Sequence, residues 1–121
     1  MRSVLIFLFA LLLSACYYDS EEYLFPELRC DTVNTGYTEV IQPLMETHCY
    51  TCHSNRNAPQ FGSGLALEDF SDVKREADNG SLFGAINHEE GYSPMPKNGD
   101  KLDDCTLQKF RIWIDNGAPD N

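Results

Sequence analysis

The longest hydrophobic run of the 121-residue chain lies at its start, where every position from Val4 to Leu13 is apolar. Arg2 precedes this run, and the small residues Ser14 and Ala15 follow it. A short apolar run between a positive charge and small residues is typical of a secretory signal peptide, and this one is too short to span a bilayer comfortably. The pattern therefore predicts an exported protein, in whose compartment disulfide bonds can form.

Hydrophobic positions recur at helical spacing in later parts of the chain. One stretch has Pro43 in its opening turn, which predicts a helix that begins near Gln42. A second stretch becomes polar and reaches Asn79-Gly80, a typical helix stop. The apolar residues that follow predict a short helix with Ser81 as its N-cap.

The last helix has the clearest pattern. Asp103 suits its N-cap, and Leu107, Phe110 and Ile114 form an i, i+3, i+7 stripe before Gly117 ends it. No segment alternates as an extended strand does, and no internal repeat is visible in the sequence. The expected fold class is therefore all-α.

The chain is strongly acidic, with 9 Lys and Arg against 19 Asp and Glu and a formal net charge of −10. Such a charge repels phosphate backbones, which argues against nucleic-acid binding. It also argues against electrostatic adsorption to anionic lipid.

The segment Cys49–His53 has the sequence C-x-x-C-H, the attachment signature of c-type haem. Two thiols three positions apart on a helical turn can each bond one haem vinyl group, and the adjacent imidazole can reach the iron. The expected cofactor is one covalent haem c, attached through Cys49 and Cys52, with His53 as the proximal ligand. A thioredoxin-like motif would need a βαβ context, and a zinc site would need a second ligand pair. A disulfide between the two thiols would leave His53 without a role.

Met95 is the candidate for the distal iron ligand. It lies between Pro94 and Pro96 in a polar loop, where the prolines restrict the backbone and a role as core filler is not expected. His88 is the rival, because imidazole is also a good ligand of haem iron. His48 is expected at the surface.

At this point the chain resembles a class I monohaem cytochrome c over residues 37–121. The resemblance is carried by the C-x-x-C-H motif, the Met95-Pro96 pair and the ending WIDNGAP at Trp113–Pro119. It implies a small cytochrome c-like fold of three to four helices around one haem, with Met95 as the distal ligand. A six-coordinate iron has no open position for a substrate, so the expected role is that of a single-electron carrier, not an enzyme.

The residues at the end of the apolar run, Leu13–Cys16, resemble the lipobox of bacterial lipoproteins. This resemblance implies that residues 1–15 are removed and that Cys16 is acylated, which anchors the protein stably to a membrane. Residues 16–36 would then form an acidic tether and N-terminal segment. Position 17 is not Asp, so the outer membrane, at its periplasmic face or the cell surface, is the expected location. An ordinary signal peptide cleaved at the same place is the alternative.

Two cysteines remain once Cys16 is assigned to lipid and the motif cysteines to haem. Cys30 and Cys105 would then share an oxidising compartment, and we expect them to form a disulfide. In class I cytochromes the first and last helices cross, which would bring the two neighbourhoods together. Two buried free thiols are the alternative.

Two other functions stay open at this stage. One is a haem-containing subunit of an envelope oxidoreductase or peroxidase, and the other is a disulfide-stapled binding lipoprotein without haem. For the electron carrier, the acidic surface predicts a redox partner with a basic docking patch.

Overall fold

A computed structural model gives the fold of residues 30–121. The predicted signal peptide, the lipidation site Cys16 and the tether up to residue 29 lie outside the described residues. Asp31–Asn121 forms one compact unit.

The described part of the chain is all-helical and contains no strand, which confirms the expected fold class. A π-helical turn, Tyr37–Ile41, precedes six α-helices. These are α1 (Gln42–His48), α2 (Tyr50–His53), α3 (Ala58–Phe61), α4 (Phe70–Asp78), α5 (Ser81–Ile86) and α6 (Asp104–Asp115). Three of the six have seven residues or more, whereas three to four helices were expected in total. The difference arises because α2 and α3 are single turns, too short to show a hydrophobic period.

Helix α1 begins at Gln42 with Pro43 in its first turn, as predicted. The π-helical turn before it was not predicted. In that turn the amide of Ile41 donates to the carbonyl of Gly36, five positions back, at 3.2 Å. This i to i+5 bond is the hydrogen bond of a π-helix, which has no hydrophobic signature of its own.

Asn121 caps the open end of the π-helical turn. Its side-chain oxygen accepts a hydrogen bond from the amide of Tyr37 at 2.9 Å, and its carbonyl oxygen accepts one from the amide of Thr38 at 2.8 Å. The first amides of a helix have no partner within it. Residue 121 therefore satisfies two of them.

The boundary between α4 and α5 lies at Asn79-Gly80, where the sequence predicted a stop. The assignment of Ser81 as the N-cap was wrong, because Ser81 is the first helical residue and Gly80 is the cap. Gly80 has φ +82, a left-handed conformation that glycine adopts without a steric penalty. The side-chain oxygen of Asn79 accepts the amide hydrogen of Ser81 at 2.8 Å instead.

Helix α6 starts with the predicted cap. The carboxylate of Asp103 accepts hydrogen bonds from the hydroxyl of Thr106 at 2.7 Å and from its amide at 3.0 Å. These two bonds hold the pKa of Asp103 below its ordinary value. Farther along, Trp113 is 1% exposed and belongs to the core, whereas Ile114 of the predicted stripe is only partly buried. The indole of Trp113 donates to the carbonyl of Pro119 at 3.0 Å.

One hydrophobic cluster joins the π-helical turn, α1, α4, α5 and α6. The ring of Tyr37 packs edge-on against Phe70, with centroids 4.8 Å apart, and lies 5.7 Å from Trp113. The largest fully buried side chains are Ile41, Met45, Val73, Phe110 and Trp113. Cys49 and Tyr50 of the cysteine motif pack against this core.

Cys30 and Cys105 form a disulfide bond, which confirms the predicted pairing. It joins the first described residue to the first turn of α6. Within residues 30–121, none of the helices combines the length and apolar character needed to cross a bilayer.

Candidate functional site

The cysteine motif lies on a helical turn that continues from α1. The amide of Cys49 donates to the carbonyl of Met45, and the amide of His53 donates to the carbonyl of Cys49, both at 2.8 Å. Cys49 and Cys52 are free thiols, and both are partly exposed. The i, i+3 spacing of the thiols therefore places them one helical turn apart, as attachment of a planar group through two bonds requires.

The thiol of Cys49 lies in an apolar environment. Its sulfur is 3.8 Å from the sulfur of Met45, and burial raises the pKa of the Cys49 thiol to about 11. Reactive thiols of disulfide oxidoreductases have lowered pKa values, because the thiolate is their nucleophile. The environment of Cys49 therefore differs from that of a thioredoxin-like cysteine.

The imidazole of His53 is held in one orientation by the segment that follows α3. Its Nδ1 lies 2.8 Å from the carbonyl oxygen of Leu65, and a carbonyl can only accept a hydrogen bond. Nδ1 therefore carries the proton, which leaves the lone pair of Nε2 for a metal. The amide of Leu67 donates to the backbone carbonyl of His53 at 2.8 Å, so the same segment holds both the ring and the backbone.

Gly62 passes directly against this histidine. A Cβ atom at position 62 would lie 2.7 Å from the carbonyl oxygen of Cys52 and 2.9 Å from Nδ1 of His53. Both distances are shorter than a Cβ contact allows, so the approach requires glycine. Sequence reasoning missed Gly62 and Leu65, since neither contact leaves a signal in the hydrophobic pattern.

Met95 lies in a loop that packs on α5. Its amide donates to the carbonyl of Ala85 at 3.0 Å, and its carbonyl oxygen lies 3.0 Å from Nε2 of His88. The Met95 side chain is half-buried. The ring of Tyr92 covers Gly84, where a Cβ would lie 2.4 Å from a ring carbon.

One ring nitrogen of His88, the other candidate for the distal ligand, is therefore hydrogen-bonded to the backbone of Met95. Because the partner is a carbonyl, Nε2 of His88 is the donating nitrogen, and the lone pair of the neutral ring lies on Nδ1. Nδ1 is the ring nitrogen of His88 that could bind a metal.

The hydroxyls of Tyr50, between the two motif cysteines, and of Tyr37 are buried near each other, and neither has another hydrogen-bond partner among the described residues. Burial is the largest cause that raises the pKa of Tyr50 to about 12. The phenol is therefore neutral at physiological pH and adds no charge beside the thiols.

The hydrogen bonds of residues 30–121 form two groups around the candidate ligands, one at His53 and one at Met95, and none of them connects the two groups. His48, expected at the surface, is half-buried. Three or more His, Cys, Asp or Glu side chains that could share a metal ion do not meet anywhere in this part of the chain. Neither a protein-family model, nor a curated protein, nor a solved structure matches the chain.

Proposed function

We propose that this protein is a lipid-anchored monohaem cytochrome c with a cytochrome c-like fold, which transfers single electrons in the cell envelope. The observation that carries the proposal is the position of His53 in the motif together with the hydrogen bond that orients its ring. It follows two free thiols on one helical turn, and Leu65 fixes its ring with Nε2 as the unprotonated nitrogen.

The residues present fit a covalent haem c. Cys49 and Cys52 would hold it through two thioether bonds, and His53 and Met95 would bind its iron. When bound, the haem supplies an iron that accepts and releases one electron. Leu65 and Gly62 keep the His53 ring in place, so the proximal ligand needs little reorganisation when the iron changes charge.

The half-buried position of Met95 supports its assignment as the distal ligand. A thioether is a soft ligand without charge, and in c-type haems it raises the reduction potential relative to a second histidine. The backbone hydrogen bonds of Met95 to α5 hold the residue in a defined place. A bound methionine would also occupy the coordination position that a peroxidase uses for its substrate.

The electrostatics support a protein partner for electron transfer. With a net charge of −10, the chain would dock with a redox protein that presents a basic patch, and the association rate would fall as salt increases. Nucleic acid is not a partner in this proposal. Acylated Cys16 would attach the protein to the outer membrane, where encounters with a membrane-bound partner are confined to a surface.

The test is to produce the full-length protein in a bacterium that attaches haem to exported proteins, and to extract it with acidified acetone. We expect about one haem per chain to stay with the protein, and a ferrous low-spin spectrum that carbon monoxide does not change. A Cys49→Ser, Cys52→Ser double variant should lose the haem, whereas the matched Cys30→Ser, Cys105→Ser variant should keep it. Complete extraction from the native protein would favour a binding lipoprotein, and ready binding of carbon monoxide would favour an oxidoreductase or peroxidase subunit.

A further inference from the structure

We propose that His88 is a positioning residue for Met95 and controls how readily Met95 leaves the haem iron. The inference rests on the proposed function. His88 acts through the peptide backbone: its Nε2–H donates to the carbonyl oxygen of Met95 at 3.0 Å. In this role the histidine determines the strength of the distal bond without touching the iron.

Hydrogen bonds from the C-terminal end of α5 hold both the backbone amide and the backbone carbonyl of Met95. The carbonyl of Ala85, in the last turn of α5, accepts the amide hydrogen of Met95 at 3.0 Å and that of His88 at 3.2 Å. The His88 ring then returns to the carbonyl of Met95. The two backbone groups of Met95 are thus fixed relative to the same end of α5.

The backbone of His88 is shaped for this contact. Its φ is +55, in the left-handed region that residues with a Cβ rarely adopt. Such conformations concentrate at functional sites, where the surrounding structure maintains them. In this backbone conformation the side chain of His88 reaches back across the loop to the carbonyl of Met95.

Other side-chain contacts also hold α5 and the loop that carries Met95. Tyr92 packs on Gly84 at the start of the loop. The guanidinium of Arg111, from α6, lies 3.7 Å from the ring centroid of Phe83 and 3.8 Å from the carboxylate of Glu89. These contacts join α5 and the loop to α6, so loss of the His88 bond would free the Met95 carbonyl without releasing the whole loop.

The hydrogen bond between His88 and Met95 would affect the exchange of ligands at the iron. While both backbone groups are held, a Met95 sulfur released from the iron would stay close to it. Without the His88 bond the residue gains freedom, and an added ligand competes more successfully for the vacated position.

The test is a titration of the oxidised holoprotein with imidazole, followed by its absorption spectrum. In His88→Ala we expect the imidazole affinity to rise about tenfold, the effect of one lost hydrogen bond, and the methionine–iron charge-transfer band to weaken. His88→Gln keeps a side-chain donor and should restore part of the native affinity. His48→Ala, the matched control at a half-buried histidine that is not a candidate ligand, should leave both readouts unchanged. Gly84→Ala, which displaces Tyr92, should act in the same direction as His88→Ala, so the inference stays testable if His88→Ala does not fold.

Three outcomes would overturn the inference. Native imidazole affinity and an intact charge-transfer band in folded, haem-loaded His88→Ala would show that the hydrogen bond has no influence on Met95, while the proposed function would stand. Loss of the sixth ligand in His88→Ala, with an unchanged Met95→Ala spectrum, would make His88 the ligand itself. Absence of haem from the native protein would overturn both proposals together.

Discussion

The Nδ1 atom of His53 lies 2.8 Å from the carbonyl oxygen of Leu65, twelve residues farther along the chain. The contact settles two properties of the imidazole at once: its orientation and the nitrogen that carries the proton. Metal-binding histidines commonly donate their second N–H to a carbonyl or a carboxylate, which raises the basicity of the ligating nitrogen. In the proposed haem protein, the segment Leu65–Leu67 would hold the imidazole of His53 in position for its bond to iron.

Gly62→Ala should damage this arrangement. The added methyl group would overlap the carbonyl of Cys52 and the ring of His53, so the imidazole must move. We expect less covalent haem per chain and a disturbed low-spin spectrum, measured by the pyridine haemochrome assay. Gly36→Ala is the matched control, because its Cβ would meet no atom closer than 3.4 Å, and it should load haem normally.

Met95→Ala should open the distal side of the iron. We expect imidazole, cyanide and carbon monoxide to bind, and the reduction potential to fall, while the haem stays covalently attached. Ligand titrations and a potentiometric titration measure these effects. A native spectrum in Met95→Ala would transfer the distal role to another residue.

Cys16→Ser tests the lipid anchor, on a residue outside the described part of the chain. We expect the variant to leave the membrane fraction and become soluble, because two or more acyl chains provide the attachment. Its haem spectrum should match that of the native protein. A variant that still sediments with membranes after a high-salt wash would contradict the anchor.

Removing the Cys30–Cys105 disulfide should lower the free energy of unfolding. The bond closes a loop of about 75 residues, and the chain-entropy relation gives about 4.5 kcal/mol for such a loop. Urea denaturation of the apoprotein, compared between the native chain and Cys30→Ser, Cys105→Ser, measures the loss. Reduced native protein should behave like the double variant, and equal midpoints for all three samples would show that the bond contributes nothing.

Asp103 should give α6 a pH-dependent contribution to stability. Its pKa is lowered in the folded state, chiefly by the hydroxyl of Thr106, so its contribution is complete above the ordinary pKa of 3.8 and is lost as the pH falls through the lower folded value. Asp103→Ala should lower the free energy of unfolding by about 1 kcal/mol at pH 7, the usual effect of a lost N-cap. The difference from the native protein should shrink below pH 3.8. Asp100→Ala is the control, because the exposed Asp100 carboxylate accepts no hydrogen bond from residues 30–121.

Two of the features that sequence reasoning predicted well depend on neighbours along the chain, and a third, the disulfide, depends on the number of cysteines. The start of α1 at Gln42 follows from Pro43, and the cap of α6 follows from the preference of Asp103 for an N-terminus. The disulfide pairing followed from a count of cysteines, once two were assigned to haem and one to lipid. The two helix starts depend on residues within one turn, and the disulfide depends on how many cysteines remain after the other assignments.

The features that escaped prediction are tertiary. The π-helical turn is capped by Asn121, which lies 84 positions from Tyr37. The need for glycine at position 62 arises from a ring that belongs to another helix. His88 could be recognised as a possible ligand from its side chain, but its bond to the carbonyl of Met95 depends on a loop conformation that no periodicity shows.

The cap that Asn121 forms on Tyr37 and Thr38 brings the two ends of the helical unit to one point. A domain with adjacent ends can be inserted into a loop of another protein without forcing the host loop apart, and its own ends can be joined and reopened elsewhere. A linker between residues 121 and 30, which keeps Cys30 for its disulfide, with new ends in the exposed turn at Ser63-Gly64, would give a circular permutant. In that molecule the cysteine motif would lie near the new carboxyl end.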